Sequence, residues 1–146
     1  MSIFEKFARR KAEEPLSTPE AVATVLYLMA ASDGEISAEE KEQFVAISNR
    51  MQLFRKQTTH EFNEMIEKIN ALLNISGFDD TLSKAAAIIP PGLRQTAFAL
   101  AVDLAFADGT VEDSEKDFLD VVQTALEVSD DLAIKIIEVI QIKNRG

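Results

Sequence analysis

Cysteine and tryptophan are absent from this chain, and histidine occurs once, as His60. Without cysteine there is no disulfide, no thiolate metal site and no cysteine nucleophile, which agrees with a reducing compartment. His60 follows Thr58-Thr59 in an expected first helical turn, with no sequence neighbour that would complete a triad, and reads as a solvated helix residue. The five glycines fall in turns and build no Walker loop, dinucleotide fingerprint or nucleophile elbow. No apolar run reaches the ~18 residues of a membrane span, and the first residues mix charges among apolar positions instead of forming a signal-peptide core. These absences point to a cytosolic protein that is not an enzyme.

What is present is a chain of 146 residues, 47% hydrophobic, enough for one domain with a substantial core. The net charge is −10, and its distribution is uneven. Residues 33–42 carry Asp33, Glu35, Glu39, Glu40 and Glu42 against Lys41 alone. Residues 103–120 carry Asp103, Asp108, Glu112, Asp113, Glu115, Asp117 and Asp120 against Lys116 alone. These two segments account for the whole excess, whereas Lys6, Arg9, Arg10 and Lys11 outweigh Glu5 near the start. Nucleic acid is a poor partner for such a balance, since its binding needs a basic stripe; cations and basic proteins suit it better.

The apolar spacing is helical throughout, with no alternating stretch that marks a strand, so the expected fold is all-α with seven or eight helices. An amphipathic helix from Ile3 to about Ala12 stops before Pro15. Thr18 as N-cap and Pro19 at the first helical position open a second helix that turns Val22, Val25, Leu26 and Met29 inward and stops at Asp33-Gly34. Ser37 with Glu40, and Thr58 with Glu61, form capping-box patterns that open the next two, the third burying Phe44, Val45, Ile47 and Met51. The fourth carries Phe62, Met65, Ile66, Ile69, Leu72 and Leu73, ends near Gly77, and is followed by a shorter segment, Thr81 to Ile89. Pro90-Pro91-Gly92 is the strongest break in the chain. Beyond it, the alanine-rich stretch Leu93 to Ala107 suits a central helix. Leu119, Val122 and Leu126 continue the core, and Ser129 caps a last helix with Leu132, Ile136, Ile137 and Ile140. The organisation is a single domain: an N-terminal helix and linker (1–17), a first half (18–89) and a second half (90–142).

The two halves share a motif. Asp33-Gly34-Glu35-Ile36-Ser37-Ala38-Glu39-Glu40 returns as Asp108-Gly109-Thr110-Val111-Glu112-Asp113-Ser114-Glu115, with Ala30 matching Ala105 and Lys41 matching Lys116. Each copy lies between two helical segments and puts an aspartate in the turn and a glutamate early in the next helix. The four carboxylates of Asp33, Glu40, Asp108 and Glu115 are candidate ligands for a hard divalent cation, Ca2+, Mg2+ or Mn2+ before Zn2+, because oxygen is the only donor on offer. The latter half of an EF-hand loop has the same pattern. Its two earlier acidic positions, however, fall on Met29 and Ala31 in one copy and on Leu104 and Phe106 in the other, so neither forms a regular twelve-residue loop. Carboxylates brought to ~6 Å would repel by roughly 3 kcal/mol per pair at an effective dielectric near 20, which a cation or lysine must offset.

The same residues also serve folding: aspartate and glycine end a helix, and Glu40 caps the next through Ser37. Glu112 replaces that serine in the second copy, so the capping box is expected to be lost there while Glu115 persists, which favours a ligand role. Asp103, among apolar neighbours, is either a fifth ligand or a polar helix edge. The first helix sets Ile3, Phe4, Phe7 and Ala8 against Lys6, Arg9, Arg10 and Lys11. Docking across the domain's own core is the expected use of that apolar face, and contact with an anionic membrane surface or a partner the alternative.

A helix ending in alanine-rich sequence, then Asp-Gly, an aliphatic residue and glutamate, with a second copy in the C-terminal half, resembles the TerB family of tellurite-resistance and stress-associated proteins over about residues 18–142. The N-terminal domain of the membrane co-chaperone DjlA is similar. Ser32 departs from the alanine that commonly precedes the aspartate in the family. The resemblance implies an all-helical, non-catalytic cytosolic domain of two related halves, stress-response protein partners near the inner face of the membrane, and metal chelation by acidic residues, here Asp33, Glu40, Asp108 and Glu115. Three functions stay open: a TerB-like module binding a divalent cation or protein partners, a metal-free DjlA-like interaction or homodimerisation module, and a metal-assisted hydrolase.

Overall fold

The computed structural model describes residues 2–31, 38–50, 57–107 and 111–145, without the side chains of 38–41, 43 and 47, and these residues form seven helices and no strand. The architecture is all-α, as the apolar periodicity predicts. The helices are α1 (Ile3–Glu13), α2 (Thr18–Ala30), α3 (Ala38–Arg50), α4 (Thr59–Ile88), α5 (Pro91–Ala105), α6 (Asp113–Ala125) and α7 (Asp130–Lys143). One hydrophobic cluster runs through α2, α4, α5 and α6, with parts of α3 and α7 against it.

Side-chain capping fixes most of the helix starts. Ser17, not Thr18, caps α2: its hydroxyl accepts the Glu20 amide at 3.2 Å, and Glu20 Oε1 accepts the Ser17 amide at 2.8 Å. This reciprocal pair satisfies two amides that the first turn leaves without partners, so the helix begins one residue earlier than Thr18-Pro19 suggests. Thr58 and Ser129 cap α4 and α7 as expected, through the Glu61 amide at 3.1 Å and the Leu132 amide at 3.3 Å. Ser37 lies outside the described residues, as do Met51 and Phe54. Pro91 starts α5 without any side-chain cap, which suits a residue that has no amide hydrogen to satisfy.

Burial makes α2 the most enclosed helix. From Ala21 to Ala30 only Tyr27 reaches solvent in part, and even that ring packs edge-on against Phe44 at 6.0 Å while its hydroxyl donates to Asn70 Oδ1 at 2.6 Å. Phe44 also meets Phe62, at 5.8 Å. The central position predicted for α5 is therefore shared: α2 packs on α3, α4, α5 and α6, and α5 on α2, α3, α6 and α7. Alanines at Ala97, Ala101 and Ala105, all buried, permit the close approach of α5 to α2.

The long helix α4 breaks at Gly77, whose φ of 79° and ψ of 176° belong to a region reserved for glycine. Helix resumes directly after it, and the buried Thr81 hydroxyl donates to the Leu72 carbonyl at 3.4 Å, serving a main-chain group near the break. Beyond the break, Phe78 packs edge-on against Phe118 of α6 at 5.9 Å.

The first helix is oriented opposite to expectation. It packs on α4, but Ala8, Lys11 and Ala12 are its partly buried residues, whereas Ile3, Phe4 and Phe7 are 77%, 80% and 58% exposed. The large apolar residues do not dock on the core, because the chain settles α1 through Ala8, Lys11 and Ala12 and through the buried Leu16 that follows.

A buried lysine holds this corner together. Lys68, on the inward stripe of α4, donates to the Pro15 carbonyl at 2.9 Å and to Glu20 Oε1 at 3.1 Å, with Glu14 Oε2 at 3.7 Å. Only the ammonium is buried; Glu20 is 22% and Glu14 54% exposed, so without Lys68 water reaches both carboxylates. Lys68→Ala should cost about 1–2 kcal/mol of unfolding free energy in a urea titration, from the lost ties to Pro15 and Glu20 and the lost packing of the lysine stem. His60→Ala, at a side chain 83% exposed, should leave the midpoint unchanged; equal midpoints for the two variants would contradict the assignment.

Candidate functional site

The helices that precede the two acidic segments end, and those that follow them begin, in the same frame. Ala30 and Ala105, the last residues of α2 and α5, are as far apart in sequence as Asp33 and Asp108. The same spacing separates Ala38 from Asp113, where α3 and α6 begin, and Arg50 from Ala125, where they end. The equivalent C-cap residues have nearly the same backbone: Ala31 at φ −95°, ψ 11° and Phe106 at φ −92°, ψ 4°. Each donates its amide four residues back, to Tyr27 and to Val102, at 3.0 Å. The hairpins then cross-pack: α2 lies against both α5 and α6, and α3 against α5.

Of the four candidate ligands, Asp33 and Asp108 lie outside the described residues, and Glu40 is placed by its main chain only, as the third residue of α3. Glu115 takes the same third position in α6 and is partly buried. Its Oε1 accepts the Glu112 amide at 3.1 Å. The expectation that the second copy loses its capping box therefore fails in this half of the exchange. A carboxylate at the third helical position needs only a main-chain amide at the N-cap, and glutamate supplies that amide as well as serine does. Glu115 thus has a structural partner whether or not it also binds an ion. Glu112, Asp113 and Glu115 gather negative charge at the start of α6, the end of a helix that favours it.

The other sequence candidates are engaged elsewhere. Asp103 of α5, offered as a fifth ligand or a polar edge, meets Lys143 from the last turn of α7 at 3.0 Å and is 21% exposed. His60 Nε2 lies 3.0 Å from Glu64 Oε1 on an exposed turn of α4. Among the described residues no three His, Asp or Glu side chains gather in a metal-binding cluster.

The described residues line two concavities of note. A groove of about 640 Å³ runs between α1 and α4, bordered by Leu16, Leu72, Ile75 and Ile88, with Arg9 and Lys84 at its edge. A smaller hollow of about 250 Å³ is lined by Tyr27, Phe44, Phe62, Ile66 and Asn70.

The Lys68 cluster is the polar centre that sequence reasoning misses. Its signal is Lys68 on the apolar spacing of Met65, Ile69 and Leu72, where a cation on the buried stripe demands carboxylates opposite.

The capping role of Glu115 has a measurable size. Glu115→Ala should lower unfolding stability by about 1 kcal/mol. Glu115→Gln, which keeps an acceptor for the Glu112 amide, should lose less than half of that in the same urea titration.

No curated protein and no solved structure gives a significant match to the chain. A family model described as tellurite resistance protein TerB matches residues 19–137, from the first turn of α2 into α7, leaving α1 outside. With most of its length covered by that model, the chain belongs to the TerB family.

Proposed function

We propose that this TerB-family domain is a non-catalytic stress-response module that binds a divalent cation of the Ca2+, Mg2+ or Mn2+ class, and through it protein partners, with Asp33, Glu40, Asp108 and Glu115 as ligands. The observation that carries the reading is the common register of the two hairpins. Helix ends agree at three successive positions, so in the sequence Asp33 and Asp108 each follow their helix by three residues, and Glu40 and Glu115 are each the third residue of the next. Folding alone requires at most a side-chain cap at each helix start; it does not require the intervening aspartate and glycine to recur in the same frame. Direct packing of α2 on α5 makes the two turns exits from neighbouring helices, and their concentrated negative charge favours a hard cation with oxygen ligands.

A metal-free interaction module, the DjlA-like alternative, draws support from the bond between Glu115 and the Glu112 amide. On that reading the carboxylates cap helices, and the acidic surface meets basic partners directly.

Calorimetric titration of chelator-stripped protein with Ca2+, Mg2+, Mn2+ and Zn2+ separates the two. The cation reading predicts saturable heat with at least one of the first three ions, weakened about tenfold or more in Asp33→Asn/Asp108→Asn, which removes two of the four ligand charges. Folded protein that gives no saturable heat with any ion overturns the cation reading and leaves the metal-free module.

A further inference from the structure

We infer that α1 is a peripheral membrane anchor, a surface helix whose outward face takes an anionic lipid bilayer. The residues facing solvent at Ile3, Phe4 and Phe7 are large and apolar, and the residues partly buried on the other side are Ala8, Lys11 and Ala12. A helix kept only for packing would bury the former, since each large apolar side chain removed from water contributes roughly 1.5–3 kcal/mol. No residue of α1 is fully buried, and Phe4 and Phe7 are the only phenylalanines among the large apolar side chains exposed on the described surface.

Cations surround this apolar face. Ile3, Phe7 and Arg10 follow one another at helical spacing along one stripe, with Lys6 flanking it on one side. On the other side Lys11 sets its ammonium 5.8 Å from the Phe7 ring centroid. In a protein of net charge −10, Lys6, Arg9, Arg10 and Lys11 form the one basic concentration on an amphipathic helix, and it coincides with the exposed aromatic residues. A surface complementary to that arrangement offers negative charge at the level of the cations and hydrocarbon just beneath the aromatics. An anionic bilayer has this order of layers. The acidic remainder of the protein is repelled by the same bilayer, so approach through α1 is favoured over approach through any other face.

Eleven residues give about 16 Å of helix, which lies in the interface and does not cross it. No helix among the described residues is long and apolar enough to span a membrane. A single short helix without a second anchor binds reversibly and loses affinity as salt rises.

The test is co-sedimentation of the full chain with vesicles of phosphatidylglycerol and phosphatidylcholine in equal parts, against vesicles of phosphatidylcholine alone. Binding should appear on the anionic vesicles and be at least tenfold weaker on the neutral ones. Phe4→Ser/Phe7→Ser should abolish it, and Lys6→Gln/Arg10→Gln should weaken it about thirtyfold, consistent with roughly 1 kcal/mol per basic residue near such a surface. All four side chains point outward, so thermal melting should be unchanged and a loss of binding cannot be a loss of fold. No binding to anionic vesicles, equal binding to both compositions, or binding that survives Phe4→Ser/Phe7→Ser overturns the assignment. A concentration-dependent dimer that the same phenylalanine variant disrupts, without vesicle binding, overturns it in favour of a contact between two copies.

Discussion

The ammonium of Lys68 is the constraint on which the placement of the first two helices depends. It lies on the buried stripe of α4, where an unpaired charge would be too costly to retain, and it is met by the Pro15 carbonyl and the Glu20 carboxylate. Glu20 Oε1 also accepts the Ser17 amide, so one oxygen both starts α2 and binds it to α4. The linker after α1 is drawn in through Pro15 and Glu14, and Leu16 between them and Ser17 is buried. The outward presentation of Ile3, Phe4 and Phe7 follows from this tie: the linker fixes where α1 ends, and its inward side is formed by Ala8, Lys11 and Ala12.

With α2 anchored, its burial on nearly every side follows from composition. Alanine, valine, leucine and methionine fill ten consecutive positions apart from Thr24 and Tyr27, and both exceptions find hydrogen bonds, Thr24 to the Glu20 carbonyl at 2.7 Å and Tyr27 to Asn70. A helix apolar all round needs neighbours all round. Helices α3, α4, α5 and α6 supply them. At the far end of the α5–α6 hairpin, Glu127 adopts a left-handed φ of 57° and its carboxylate is held by Arg94 at 2.7 Å, which fixes the turn between α6 and α7.

The helices themselves were legible because their signals are local. Thr58 with Glu61, Ser129 and Gly77 mark chain reversals or breaks through their own backbone chemistry, and each acts where the sequence places it. What depends on tertiary choice was less legible. Ser17 and Thr18 are both competent N-caps, and only the reciprocal bond with Glu20, reinforced by Lys68, selects the first. The face that α1 turns inward could not be read from its amphipathicity, since periodicity says which residues share a side and not which side meets the core. The role of Glu115 is hidden from the N-cap side chain, because half of a capping box uses the N-cap main chain, which glutamate supplies as well as serine. For the acidic site, the sequence supplies the donor types and their frame, and their spacing in three dimensions depends on turns whose conformation no local pattern specifies.

The proposed function rests on the two acidic turns belonging to one kind of ion site. Amide NMR of the folded protein with substoichiometric Mn2+ tests this most directly, since a paramagnetic ion broadens only the signals near it. The account predicts selective loss of the Gly34 and Gly109 resonances, with Gly92 at the start of α5 unaffected. Broadening that spares both motif glycines, or that appears only at exposed acids such as Asp130 and Asp131, would contradict it.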